Sequence, residues 1–138
     1  MTDLVIDASV AIKWVVDEPG SAAALNLRRH RLWAPELLAA ECANILWKKV
    51  RRNELDEREA LLYARVLERA RVELEPMGRL LERATQLAIL SGHPAYDCIY
   101  LALAERLSCD VVTADRRLSR VSLPQDFTQK LRLLQDFG

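Results

Sequence analysis

Short apolar runs rich in β-branched residues alternate along this chain with longer stretches of helical periodicity, and that alternation limits its fold more than any other feature. Leu4-Val5-Ile6 and Val111-Val112 are apolar at consecutive positions, as a strand is when both of its faces are covered. Leu32-Trp33-Ala34 and Val72-Glu73-Leu74 read as two more short strands, and Lys130 to Leu134 as a last edge strand. The intervening segments predict helices from Ser9 to the break at Glu18-Pro19-Gly20, from Ser21 to Arg29, and from Pro35, at its favoured first-turn position, to about Arg51. Further helices are expected over Glu57 to Ala70, with Leu61, Leu62, Val66 and Leu67 inward, over Arg79 to Leu90, over Ala95 to Leu107, and as a short turn near Arg116 to Leu118. The helix beginning at Ala95 carries Cys98, Ile99, Leu101, Ala102, Leu103 and Ala104, is apolar on nearly every side, and must be buried. Strands alternating with helices imply an α/β domain around a mostly parallel sheet of four to five strands. With 138 residues and no linker, repeat or low-complexity tract, the chain reads as one domain over residues 1–138.

Charge balance narrows the partners. Lys and Arg number 20, as do Asp and Glu, which excludes a protein held on nucleic acid by bulk positive charge but leaves room for a local basic rim. The odd count of cysteines, Cys42, Cys98 and Cys109, contains no C-x-x-C pair, so neither a zinc finger nor a disulfide framework is indicated. They read as small core residues of a protein in the reducing cytoplasm. Met1-Thr2-Asp3 leads straight into an apolar run with no basic leader before it, and no segment approaches the roughly 20 apolar residues that span a bilayer.

Within this frame four acids stand where solvation explains them poorly: Asp7 after the first strand, Glu41 on a helix, Asp97 opening the apolar helix, and Asp115 after Val111-Val112-Thr113. In open parallel sheets ligands collect beyond the carboxyl ends of strands where strand order reverses. Asp7 and Asp115 meet there if their strands are neighbours, and Asp97 can face the same crevice. Each acid has a blander role: Asp7 and Asp115 as helix caps, Asp97 as a partner of the helix dipole, Glu41 as a solvated glutamate. Glu41 nevertheless shares its helix face with Asn44 and Lys48 and borders the apolar stripe of Leu38, Cys42, Ile45 and Leu46. Carboxylates converging at about 4 Å repel by roughly 1 kcal/mol per pair in water and about 4 kcal/mol at an effective dielectric of 20. A divalent cation removes that penalty, and oxygen ligands alone suit Mg²⁺ or Mn²⁺ better than zinc. Arg116 and Arg117 adjoin Asp115 and, with Lys48, are candidate phosphate contacts. His30 and His93 lack ligand spacing, and Trp14, Trp33 and Trp47 concentrate in the N-terminal part of the chain.

Four motifs in order, Val5-Ile6-Asp7-Ala8-Ser9, Glu41 with Asn44, Tyr96-Asp97 leading into Leu101-Ala102-Leu103-Ala104, and Val112-Thr113-Ala114-Asp115-Arg116-Arg117-Leu118, make the chain resemble the PIN-domain nucleases, specifically the VapC-type toxins of toxin–antitoxin modules. The resemblance implies a three-layer α/β/α sandwich and an acidic pocket for Mg²⁺ or Mn²⁺ formed by Asp7, Glu41, Asp97 and Asp115, with Ser9, Asn44 and Thr113 in support. Asp7 and Asp97 are the first choices as direct ligands. It further implies an endoribonuclease that cuts a tRNA or rRNA loop, forms a homodimer, and is obstructed by a small VapB-type antitoxin. Two other readings stand beside it. One is a catalytically weak PIN-like scaffold that binds RNA or protein. The other, a haloacid-dehalogenase-like phosphatase, lacks its second aspartate in Asp7-Ala8-Ser9 and a lysine after a late strand.

Overall fold

A computed structural model describes residues 2–137, so that Met1 of the N-terminal reading and Gly138 lie outside the described residues. In chain order the elements are β1 (Asp3–Ile6), α1 (Ala8–Ala11), α2 (Ser21–Asn26), β2 (Arg31–Pro35), α3 (Leu37–Arg51), α4 (Glu57–Glu68), β3 (Glu73–Glu75), α5 (Leu81–Ser91), α6 (Ala95–Leu107), β4 (Asp110–Thr113), α7 (Arg116–Ser119) and β5 (Leu131–Leu133). The strands form one sheet in the order β3-β2-β1-β4-β5, and all neighbours run parallel. Leu4, Val5, Ile6, Val111 and Val112 on the two central strands are each at most 1% exposed, which is why their sequences show no polar alternation.

Crossovers between parallel strands are right-handed. The steps from β1 to β2 to β3 move one way along the sheet and place α1 to α4 over one face. The chain then returns past β1 to β4 through α5 and α6, and continues to β5 through α7, over the other face. This reversal makes the boundary between β1 and β4 the switch point of the sheet. Helix α6 packs against β1, β2 and β4, burying Cys98, Tyr100, Leu101, Ala102, Leu103 and Ala104, as its all-round apolar sequence requires.

Two local expectations are corrected. Pro35 does not open a helix: it ends β2 opposite Glu75, and the Glu36 N–H donates to the Glu75 carbonyl at 2.9 Å, so the ladder delays the start of α3 to Leu37. Helix α4 begins behind an Asp56–Glu59 capping box, but its inward face is Ala60, Tyr63, Ala64 and Leu67, packed against Ile12 and Leu46. Leu61, Leu62 and Val66 stand 46–54% exposed. Helix α4 has two apolar stripes, and the one with alanines at i and i+4 lets it approach α3 more closely than the leucines would.

The three cysteines are buried and unpaired, and burial pushes the Cys42 thiol up to about 12 and the Cys109 thiol up to about 11, so they stay protonated and inert. The tryptophans divide: Trp14 donates to the Ala24 carbonyl at 2.8 Å, Trp33 packs on the core, and Trp47 is half exposed with the Arg51 guanidinium 4.9 Å from its ring centroid. Among the described residues, no single helix is long and apolar enough to cross a membrane.

Candidate functional site

Asp7 is the first residue after β1, where the chain leaves the sheet in extended conformation, and Thr113 is the last residue of β4. The parallel register that sets Ile6 opposite Val112 carries these two side by side. They are the two buried polar residues among the described residues, and they bond to each other: Thr113 Oγ1 donates to Asp7 Oδ2 at 2.5 Å. Ser9 Oγ donates to Asp7 Oδ1 at 2.5 Å, and the Val10 N–H approaches the same oxygen at 3.3 Å, so Asp7 also caps α1. Ser9 and Thr113 in turn accept the backbone N–H groups of Ala114 and Asp115 at 2.9 and 3.0 Å. The ends of both central strands are thereby joined through one carboxylate. Burial pushes that carboxyl up to about 6, the Asp97 charge adds to the rise, and the hydrogen bonds from Ser9, Thr113 and Val10 only partly oppose it.

The other acids each have a holder. The Tyr100 hydroxyl donates to Glu41 Oε1 at 2.5 Å, tying α6 to α3 across the cleft. Burial, with help from Asp97, raises the Glu41 carboxyl above its usual range despite that hydrogen bond. Tyr100 is fully buried, and burial together with Glu41 drives its own hydroxyl well above the ordinary phenol range, so it remains a donor at any working pH. Asp97 lies in the first turn of α6 with its Oδ2 2.7 Å from His93 Nε2. Asp115 caps α7, accepting the Arg117 N–H at 2.9 Å. The bland roles as caps and partners are therefore occupied, and they serve to fix the acids in place.

One cleft of about 440 Å³ takes in all four acids with Ser9, Asn44 and Lys48, and Thr113 lies beneath it. Arg116 and Arg117 stand on α7 beside it; Arg116 reaches Gln135, while the Arg117 side chain is 91% exposed with its Nε 3.9 Å from Asp115 Oδ1. A second groove of about 490 Å³ between α3 and α4 is lined by Leu38, Cys42, Leu46, Ala64 and Leu67 and gathers no comparable set of polar groups.

As the side chains stand, no three His, Cys, Asp or Glu among the described residues are gathered tightly enough to cage an ion. The donor set nonetheless fits a hard divalent cation. It is all oxygen, Lys48 is the lone cation lining it, and Asp97 raises the proton affinity of both Asp7 and Glu41, which places like charges within interaction range. Mg²⁺ keeps several waters and takes only one or two carboxylates directly, so a closed cage is not required.

His93 and Tyr100 are site residues that sequence reasoning missed. His93 sits four residues before Asp97, a spacing that brings side chains together on a helix, but Pro94 between them obscured it. Tyr100 lies 59 residues from Glu41, a separation no local pattern reveals. Tyr100→Phe keeps the ring and removes the donor. It is expected to cost about 1–2 kcal/mol in urea melts at pH 8, where Glu41 is ionised, and less at pH 4. An equal loss at both values would assign the effect to packing.

Residues 4–123 match the PIN domain family. Ribonuclease VapC9 of Mycobacterium tuberculosis is 35% identical over 116 residues, covering 84% of this chain and 88% of that protein. Among solved structures, DNA-bound VapBC from Salmonella typhimurium superposes with a TM-score of 0.67 at 16% identity, covering 97% of this chain and 99% of that one. VapC20 of Mycobacterium tuberculosis, a sarcin-ricin loop cleaving toxin, superposes with a TM-score of 0.63 at 15% identity, covering 84% of this chain and 92% of that one. The family match spans both central strands and all four acids of the cleft, and with it the chain belongs to the PIN-domain family and, within it, to the VapC ribonucleases.

Proposed function

We propose that this protein is a Mg²⁺- or Mn²⁺-dependent endoribonuclease and the toxin of a toxin–antitoxin pair. The observation that carries the proposal is the convergence of Asp7, Glu41, Asp97 and Asp115 from four separate segments on one cleft at the switch point, whose lining holds one lysine. Asp7 and Asp97 would hold the ion, with Glu41 and Asp115 contributing directly or through water, and when bound it would supply a positive field for charge building on the phosphate and acidify nearby water. The chain's own residues provide the geometry. Ser9 and Thr113 hold Asp7 rigid, His93 orients Asp97, Tyr100 orients Glu41, and the first turn of α7 orients Asp115. Asn44 stands beside Glu41 on the same wall. Lys48, Arg116 and Arg117 hold the flanking phosphates, at positions that fix register without reading sequence.

The neutral balance of charge favours selection by RNA shape and by an accessible single-stranded loop, in a tRNA or rRNA. VapC20, similar in fold, is a sarcin-ricin loop cleaving toxin. The likeness to VapBC supports a VapB-type antitoxin as partner; its obstruction of the cleft and a homodimeric assembly are part of the same proposal. The spread of the acids favours one rival, a catalytically weak PIN-like scaffold that binds RNA or protein. Purified protein incubated with total RNA decides between them. Cleavage is expected with Mg²⁺ or Mn²⁺, is expected to vanish on chelation, and is expected to fall about a hundredfold or more in Asp97→Asn. Cleavage that survives thorough chelation would sink the proposal.

A further inference from the structure

We infer that Tyr96 is a base-stacking subsite at the mouth of the cleft: the base next to the scissile phosphate lies on its ring, and Lys48 on the opposite wall holds the adjoining phosphate. The inference rests on the endoribonuclease reading above and adds to it a determinant of substrate choice.

Tyr96 and Tyr100 are four residues apart and share one face of α6. At Tyr100 that face is closed, with the ring fully buried and the hydroxyl engaged by Glu41. One turn nearer the helix start, Tyr96 is 66% exposed yet still lines the acidic cleft. The exposure of Tyr96 thus falls on the lining of the cleft. Its neighbour Asp97 belongs to the floor, and Lys48, from α3, is the one cation in the lining.

The chemistry of the cleft selects the occupant. An acidic floor that takes a divalent ion draws a phosphodiester, and a basic side chain across from it suits the next phosphate. An aromatic face within the same cleft then meets what a phosphodiester chain carries at fixed reach, an unpaired base. A duplex keeps its bases stacked on one another and leaves Tyr96 empty. The ring thus turns a nonspecific phosphate cleft into one that favours single-stranded RNA, with purines above pyrimidines because they stack over a larger area.

The test uses Asp7→Asn as the parent, so that RNA is bound and not cut, with fluorescein-labelled oligoadenylate, oligouridylate and an RNA duplex. Adding Tyr96→Ala is expected to weaken oligoadenylate binding about 10- to 100-fold and to erase the preference for adenylate, while Tyr96→Phe and Tyr96→Trp stay within about threefold of the parent. Duplex binding and, in the wild-type background, Mn²⁺ affinity should not move. Unchanged oligoadenylate binding in Tyr96→Ala overturns the inference alone. A loss in Tyr96→Phe equal to that in Tyr96→Ala also overturns it, since a hydroxyl contact would then be responsible. So does a change in sedimentation on Tyr96→Ala that tracks the loss of RNA binding, which would assign the ring to self-association. A parent that binds none of the three RNAs overturns the inference, and a wild type that also cuts no RNA overturns the endoribonuclease reading with it.

Discussion

Asp7→Asn is expected to lower RNA cleavage roughly a thousandfold and, in metal-free buffer at pH 7 to 8, to melt higher than the wild type. The loss of activity corresponds to withdrawing about 4 kcal/mol of charge stabilisation at the cleft. The gain in stability follows from burial. Asp7 is 6% exposed, and its folded-state carboxyl is pushed from 3.8 up to about 6. A raised carboxyl gives stability that is fully present below pH 4, where folded and unfolded chains are both protonated, and that is lost as pH rises through about 6. Above that pH the ionised form costs the metal-free fold about 3 kcal/mol. The asparagine variant escapes this cost while its amide still bonds to Ser9 or Thr113. A net gain of about 2 kcal/mol, or roughly 7 °C in Tm, is expected at pH 8, with no gain near pH 4. Mn²⁺ should reverse the order, because binding at a hundredfold excess over Kd stabilises the wild type by about 2.7 kcal/mol. Calorimetric melts of both proteins, with and without Mn²⁺ at pH 4 and pH 8, read all of these terms. A metal-free variant no more stable than the wild type at pH 8 would refute the charge-burial account.

Thr113→Val removes the other member of the buried pair at nearly constant volume. Thr113 is fully buried; its hydroxyl donates to Asp7 and accepts the Asp115 N–H. Its loss strips one oxygen of a buried carboxylate of its donor and orphans a backbone N–H near the start of α7. Hydrogen bonds to charged groups are worth about 1.5–3 kcal/mol, so an overall cost of about 3 kcal/mol, or roughly 10 °C in Tm, is expected at pH 8. The Thr113 bond is one of those that pull the Asp7 carboxyl down, so without it that group rises further above its usual range. Because an ion binds the deprotonated carboxylate, the pH midpoint for Mn²⁺ binding should move upward in this variant. Mn²⁺ titration calorimetry across pH 5 to 8 measures that midpoint. An unmoved midpoint would show that Asp7 is held by other groups.

The helix faces and the caps mark where local pattern stopped being sufficient. Buried strands β1 and β4 and the all-round apolar α6 were readable because a segment covered on every side has no polar periodicity to hide behind. Helix α4 was harder, since two apolar stripes satisfy the same periodicity and only the shape of α3 selects the alanine-lined one. Pro35 looked like a helix opener until the ladder with β3 claimed it. In the site, Asp7, Asp115 and Asp97 were identifiable from their positions after strands and at the start of α6, while Glu41, inside α3, rested mainly on the family resemblance. His93 and Tyr100 were not identifiable, because their meaning lies in a partner and not in their own surroundings.

By itself the sequence determined the α/β class, the central strands and the residues that carry charge into apolar surroundings. These are properties of segments a few residues long, set by side-chain periodicity and the cost of burial. The tertiary structure alone decided that β1 and β4 are neighbours, that Asp7 and Thr113 therefore share a hydrogen bond, and that one cleft receives acids spread from position 7 to position 115. Contacts 59 and 106 residues apart arise from strand order and crossover handedness, which belong to the packed chain as a whole.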